Sequence, residues 1–189
     1  EAFYATKVDA DPDRPVSHGL NSRLSRDENG EIYEEVFSAR GRYANSIKEI
    51  IGHLEKAKDV AENEDQAAAL KLLIEYYETG DLTKWDDYNI AWIKTTGGDV
   101  DYINGFVEVY NDPMGYRGSY ETVVQVKDFD ASKRMAVVAD NVQWFEDHSP
   151  IMDDHKKESV VGVSYKIVTV AGEAGDASPS TPIGVNLPN

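Results

Sequence analysis

The clearest pattern along the chain is helical and lies over residues 42–61. Tyr43, Ile47, Ile50, Ile51, Leu54, Ala57 and Val60 recur there at spacings of three and four. Lys48, Glu49, Glu55, Lys56 and Lys58 fill the opposite face. Asn63 predicts the cap of a second helix, with Gln66 three residues on as its capping-box partner. That helix carries Leu70, Leu73, Ile74 and Tyr77 inward and stops at Gly80. Asp81 predicts the cap of a third, shorter segment through Trp85, Tyr88, Ile90 and Ile93.

Elsewhere the period changes. Ser22–Arg26 and Glu31–Ser38 flank Asp27-Glu28-Asn29-Gly30, and the Asn-Gly pair predicts a hairpin because both residues tolerate positive φ. Tyr102–Asn111 and the β-branched run Tyr120–Lys127 predict a second antiparallel pair, joined through the turn Asn111–Gly115. Ala131–Glu146 returns to helical spacing through Met135, Val138, Val142 and Phe145, with Asp130 as the expected cap. Valine-rich Ser159–Val170 predicts a late strand, Gly172–Pro182 a loop, and Thr181–Val185 an extended end. Residues 1–19, with Asp11-Pro12-Asp13-Arg14-Pro15, read as a connecting segment holding at most a short element at Ala2–Val8. The sum is an α+β fold of helices around a small antiparallel β region.

Composition narrows the function more than the fold. Across 189 residues, 35 acidic side chains against 19 basic ones leave a formal charge of −16, so bulk charge does not favour nucleic acid or an anionic membrane as a partner. With 41% hydrophobic residues the chain is not disordered. It has no cysteine, which excludes disulfides, cysteine–zinc sites and thiol catalysis. No apolar run approaches the roughly 20 residues of a membrane span. Glu1 in place of Met points to a processed protein or an excised piece. Lack of cysteine fits a reducing compartment, and cytoplasmic residence is the expectation.

Catalytic signatures are missing. His53 is followed by Leu54 and Glu55, but no histidine stands one turn on to complete a zinc-protease pair. Glu146, Asp147, His148, Asp153, Asp154 and His155 could hold a divalent metal, yet a solvated helix end with an acidic loop is the favoured reading. Gly97-Gly98 lacks the spacing of a dinucleotide site, and Ser119 and Ser164 lack the setting of a nucleophile elbow. Two segments stand out. Asp99 to Tyr110 puts acids before and inside an apolar strand, and Pro182 to Asn189 sets asparagines around a rigid Leu-Pro. The first reads as a strand with solvent-facing acids and the second as a turn with Asx hydrogen bonds, or the two as a polar cradle for a ligand amine or amide, since asparagine offers donors and acceptors together.

These two segments carry a resemblance. Tyr102-Ile103-Asn104-Gly105-Phe106-Val107-Glu108-Val109-Tyr110-Asn111-Asp112-Pro113, then Gly115 and Gly118, resembles the strand–turn–strand of the dipeptidyl peptidase III family. Ile183-Gly184-Val185-Asn186-Leu187-Pro188-Asn189 resembles the segment before that family's zinc-binding helix. Ile47–Ala61 and Trp144-Phe145-Glu146-Asp147-His148-Ser149-Pro150 are similar to it too, the latter particularly to its bacterial branch. The resemblance implies part of a two-lobed zinc exopeptidase that releases dipeptides from short peptides with a free N-terminus. It implies a barrel-like sheet, and a division into residues 1–129 in the barrel lobe, 130–158 in the opposite lobe and 159–189 as return and substrate-binding strands.

Residue by residue, the resemblance implies that Asn186 and Asn189 hold the substrate's N-terminal end and that Asp101 stands where a glutamate binds the free amine. Ile103 stands where some members place a tyrosine. Ile183 and Gly184 fall in the strand beside which the peptide lies, by backbone pairing that asks little of its side chains. The family's His-Glu-x-x-x-His signature lies beyond Asn189. Zinc is therefore expected in the parent and not on this chain, which is expected to be inactive alone, to need the remainder of the parent polypeptide, and to expose the stripe from Met135 to Phe145. The alternative is a metal-free peptide-binding or interaction module of the same fold.

Overall fold

In a computed structural model, the structure describes residues 2–95, 97–160 and 166–178. Its elements run β1 (Ser22–Arg26), β2 (Ile32–Val36), α1 (Ala44–Asp59), α2 (Glu64–Thr79), α3 (Leu82–Ile93), β3 (Val100–Phe106), β4 (Tyr120–Lys127), α4 (Phe129–Asp140), α5 (Val142–Asp147) and β5 (Val168–Gly175). A short 3-10 turn at Tyr4–Thr6 is the one element among the described residues of the connecting segment.

Local chemistry sets most of these boundaries. Asp27 Oδ1 accepts the N–H groups of Asn29 and Glu31, and Gly30 takes φ +84°, which closes the β1–β2 hairpin. Asn63 Oδ1 accepts Gln66 N–H at 2.9 Å to start α2, and Gly80 ends it in the left-handed region at φ +76°. Asp81 caps α3 through Thr83 N–H. The Gln66 side chain reaches back to Glu62 N–H at 2.8 Å, one residue before the cap.

The core lies where α2 and α3 meet the sheet. Leu73, Tyr76 and Tyr77 of α2 are wholly buried, and Trp85, Tyr88 and Phe106 join them. An aromatic ladder runs through it: Tyr77–Tyr76, Tyr76–Trp85 and Trp85–Tyr88 have ring centroids 5.2, 5.0 and 5.3 Å apart. Tyr77 donates to Asn104 Oδ1 at 2.5 Å, and Asn104 donates to Thr122 Oγ1 at 3.1 Å, tying α2 across β3 to β4.

Two antiparallel sheets are described, β1-β2 and β3-β4-β5. Among the described residues both are open. The barrel-like sheet expected from the resemblance is not closed by them, because three strands are too few to curl onto themselves. β3 is shorter than expected, yet its pairing runs on irregularly, with Val107 N–H to Ser119 O at 3.0 Å and Ser119 N–H to Glu108 O at 2.8 Å. The segment expected as a loop from Gly172 is strand to Gly175, which pairs with Glu121 across a bulge between Val124 and Gln125. Val168–Val170 falls in the expected late strand; residues 161–165 and the extended Thr181–Val185 lie outside the described residues.

The single helix expected over Ala131–Glu146 is two. Asn141 Nδ2 donates to Val137 O at 2.8 Å and its backbone leaves helical geometry, which ends α4. Asp128, not Asp130, caps α4 through Ala131 N–H at 2.8 Å. Neither α4 nor α5 buries a residue. Met135, Val138 and Val142 are half-buried, while Phe129, Val137, Trp144 and Phe145 are exposed. No helix among the described residues is long and apolar enough to cross a membrane.

Candidate functional site

Asp101 is the second residue of β3, opposite Gln125 of β4. Its side chain turns to α3. Trp92 Nε1–H donates to Asp101 Oδ1 at 3.0 Å, and the Tyr102 backbone N–H donates to the same oxygen at 2.8 Å. Both donors grip one oxygen, and Oδ2 accepts no hydrogen bond among the described residues. A half-buried carboxylate is thus held at one end and open at the other. Its charge has a visible effect: burial first, and Asp101 second, push the Tyr102 phenol well above its ordinary range. Burial first, then Tyr102, Tyr77 and Asp101, do the same to Tyr88. Both phenols stay neutral.

Beside it lies a cleft of about 850 Å³ between α3, β3 and the connecting segment. Ile103, Trp92 and Tyr102 line it together with His18 and Asp86. The floor of the corner is tight: a methyl group on Gly105 would meet Trp85 Cζ3 at 2.6 Å. Gly105 lets β3 lie directly on the indole.

Of the residues expected to bind substrate, Asp101 is described, and Ile183, Gly184, Asn186 and Asn189 lie outside the described residues. Trp92, which orients Asp101, was not singled out by sequence reasoning. Its one signal is a tryptophan near the end of a predicted helix that leads into an acidic strand. The acidic segment near α5 is engaged locally: His148 Nδ1 lies 2.7 Å from Trp144 O, Glu146 accepts Lys157 N–H, and Asp153 pairs with Lys156 at 2.7 Å. Among the described residues, no group of three or more His, Asp or Glu side chains fits a metal ion. The described residues do not fit the zinc that the resemblance implies.

The model of Peptidase family M49 matches residues 17–189. The chain belongs to peptidase family M49. Among M49 relatives, it is 29% identical to dipeptidyl peptidase 3 of Nematostella vectensis over 150 residues, 79% of this chain and 20% of that protein. It is 28% identical to dipeptidyl peptidase 3 of Mus musculus over 189 residues, 100% of this chain and 25% of that protein. The chain therefore spans about a fifth to a quarter of these relatives. The solved structure of DPP III from Caldithrix abyssi superposes with a TM-score of 0.67 at 20% identity, covering 85% of this chain and 30% of that one. That likeness shows the M49 fold of this part.

Proposed function

We propose that the chain is the substrate-holding portion of a dipeptidyl peptidase, working within a longer polypeptide that removes dipeptides from the N-termini of short peptides. The observation that carries this reading is Asp101, a carboxylate fixed through one oxygen by Trp92 and Tyr102 with its other oxygen open. Such a group suits an ammonium, the one feature common to all peptide N-termini. Membership of family M49 and the dipeptidyl peptidase relatives support it.

In this reading, Asp101 accepts the substrate ammonium while Asn186 and Asn189 bind beside it. Ile183 and Gly184 lend backbone to the extended peptide. Holding the end of the chain measures the distance to the scissile bond, so the second peptide bond is the one presented for hydrolysis. Zinc in the longer polypeptide would supply the activated water, through residues other than those described here. The division at residues 129 and 158 belongs to the same reading, with the exposed apolar side chains of α4 and α5 covered by the rest of the polypeptide.

The test is to express the full-length polypeptide that carries this chain, incubate it with a free-amine hexapeptide and resolve the products by mass spectrometry. Successive loss of dipeptides from the N-terminus is expected, with no hydrolysis by the 189-residue chain alone. Release of single residues, or cleavage at internal bonds, would overturn the reading.

A further inference from the structure

Asp101 is bound by α3 through its side chain, but the main chain just before it is gripped from elsewhere. The corner between α1 and α2 carries Glu62, whose carboxylate accepts the Asp99 N–H at 2.9 Å through Oε1 and 3.0 Å through Oε2. Oε2 also accepts the next backbone N–H, that of Val100, at 3.2 Å. Gln66, itself buried, completes the grip. Its Nε2 donates to Glu62 Oε2 and to Val100 O, both at 3.1 Å, and its Oε1 accepts Glu62 N–H at 2.8 Å. From the other side Lys127 N–H donates to Asp99 O at 2.7 Å, and Lys127 Nζ lies 3.1 Å from Asp99 Oδ1. Lys166 Nζ donates to Gly98 O at 2.5 Å.

A surface glutamate that merely decorated the corner would need none of this. Glu62 takes two consecutive backbone N–H groups, as an anion does in a loop nest, and they belong to the two residues before Asp101. Gly98 is part of the fit, because a methyl group there would meet Glu62 Oε2 at 2.5 Å. The backbone leading into Asp101 is thus held by the α1–α2 corner, and its carboxylate by α3 and the Tyr102 N–H.

We propose that Glu62, braced by Gln66, is a positioning residue that sets where the Asp101 carboxylate stands when it receives a substrate ammonium. The proposal rests on the reading of Asp101 given above. Glu62 touches no substrate. It acts by holding Asp99 and Val100, so that the open oxygen of Asp101 keeps one position instead of several.

The experiment is a mutant cycle in the full-length polypeptide, with a free-amine tetrapeptide as substrate. Glu62→Gln turns an amide donor toward backbone donors. Gly98→Ala displaces the flexible end of Glu62 and leaves the rest of the corner in place. Each is expected to raise KM about tenfold with kcat changed less than about twofold. In an Asp101→Asn background, each is expected to add less than about twofold, because the residue acts through Asp101. Gly98→Ala keeps the test open should Glu62→Gln fail to fold. Equal rises of KM in both backgrounds, or an unchanged KM with Glu62→Gln and Gly98→Ala where Asp101→Asn is impaired, overturn the role of Glu62 alone. An Asp101→Asn enzyme with unchanged KM overturns the reading of Asp101 and this proposal with it.

Discussion

Gly105→Ala probes the contact that seats β3. A methyl group at this position would meet Trp85 Cζ3 at 2.6 Å and Cη2 closer still. Ordinary carbon contacts lie near 3.5–4.0 Å, so the indole would have to retreat by about 1 Å. It has little room, being 8% exposed and set between Tyr76 and Tyr88 at centroid distances of 5.0 and 5.3 Å. Overpacking of this kind costs about 1–3 kcal/mol. Alanine returns about 0.5–1 kcal/mol, since it restricts the unfolded chain more than glycine does. Mid-range values leave a net destabilisation of about 1 kcal/mol, or about 2–4 °C in Tm for a chain of this size. Urea unfolding of the 189-residue chain, followed by tryptophan fluorescence and far-ultraviolet circular dichroism, measures it. Shrinking the partner should relieve the clash, so Gly105→Ala should cost less in a Trp85→Leu background than in the native one. A variant as stable as the native chain, or costs that simply add, would refute the close approach of β3 to Trp85.

Tyr77→Phe removes the donor to Asn104 Oδ1, leaving a polar atom without its partner in a packed layer. A loss of about 1–3 kcal/mol in urea unfolding is expected, and an unchanged midpoint would deny that bond a role. Glu121 has its carboxyl raised above its ordinary value of 4.5 by burial first, then by Glu108 and Asp176. Its folded state holds the proton more tightly than the unfolded one, so this stability is present below the ordinary value and lost as pH rises through the folded one. Glu121→Gln should therefore raise Tm at pH 7 and give no gain at pH 3. The same gain at both pH values would contradict the assignment.

Legibility in the sequence followed the range of the interactions. The ends of α2 are fixed by Asn63 and Gly80, whose effects reach a few residues, and both were readable in advance. The β1–β2 turn at Asn29-Gly30 and the span of β4 were readable for the same reason. The break at Asn141 was not. The apolar spacing from Met135 to Phe145 continues through it, while at Asn141 the backbone leaves helical geometry and the side chain reaches back to Val137 O. Gly172 and Gly175 suggested a loop because glycine is poor in strands. Gly175 is tolerated at the end of β5 because it takes φ +70° where the chain lies against Tyr120 O.

The candidate site divides in the same way. Asp101 was reached through the resemblance carried by its own strand. Trp92 and Glu62 act on that strand from other elements, and their pairing depends on how α3 and the α1–α2 corner meet β3. No local pattern encodes such a meeting, since it is a product of the aromatic core that positions all three.

The central claim is that Asp101 receives the substrate's free amine. It is tested most directly by kcat/KM of the full-length polypeptide, native and Asp101→Asn, on a tetrapeptide with a free N-terminus and on its N-acetylated form. A charge-assisted hydrogen bond of about 1.5–3 kcal/mol corresponds to about 10- to 150-fold. The account predicts that Asp101→Asn loses that factor on the free-amine peptide, loses nothing further on the acetylated one, and keeps its Tm. An Asp101→Asn enzyme that discriminates between the two peptides as well as the native one would contradict it.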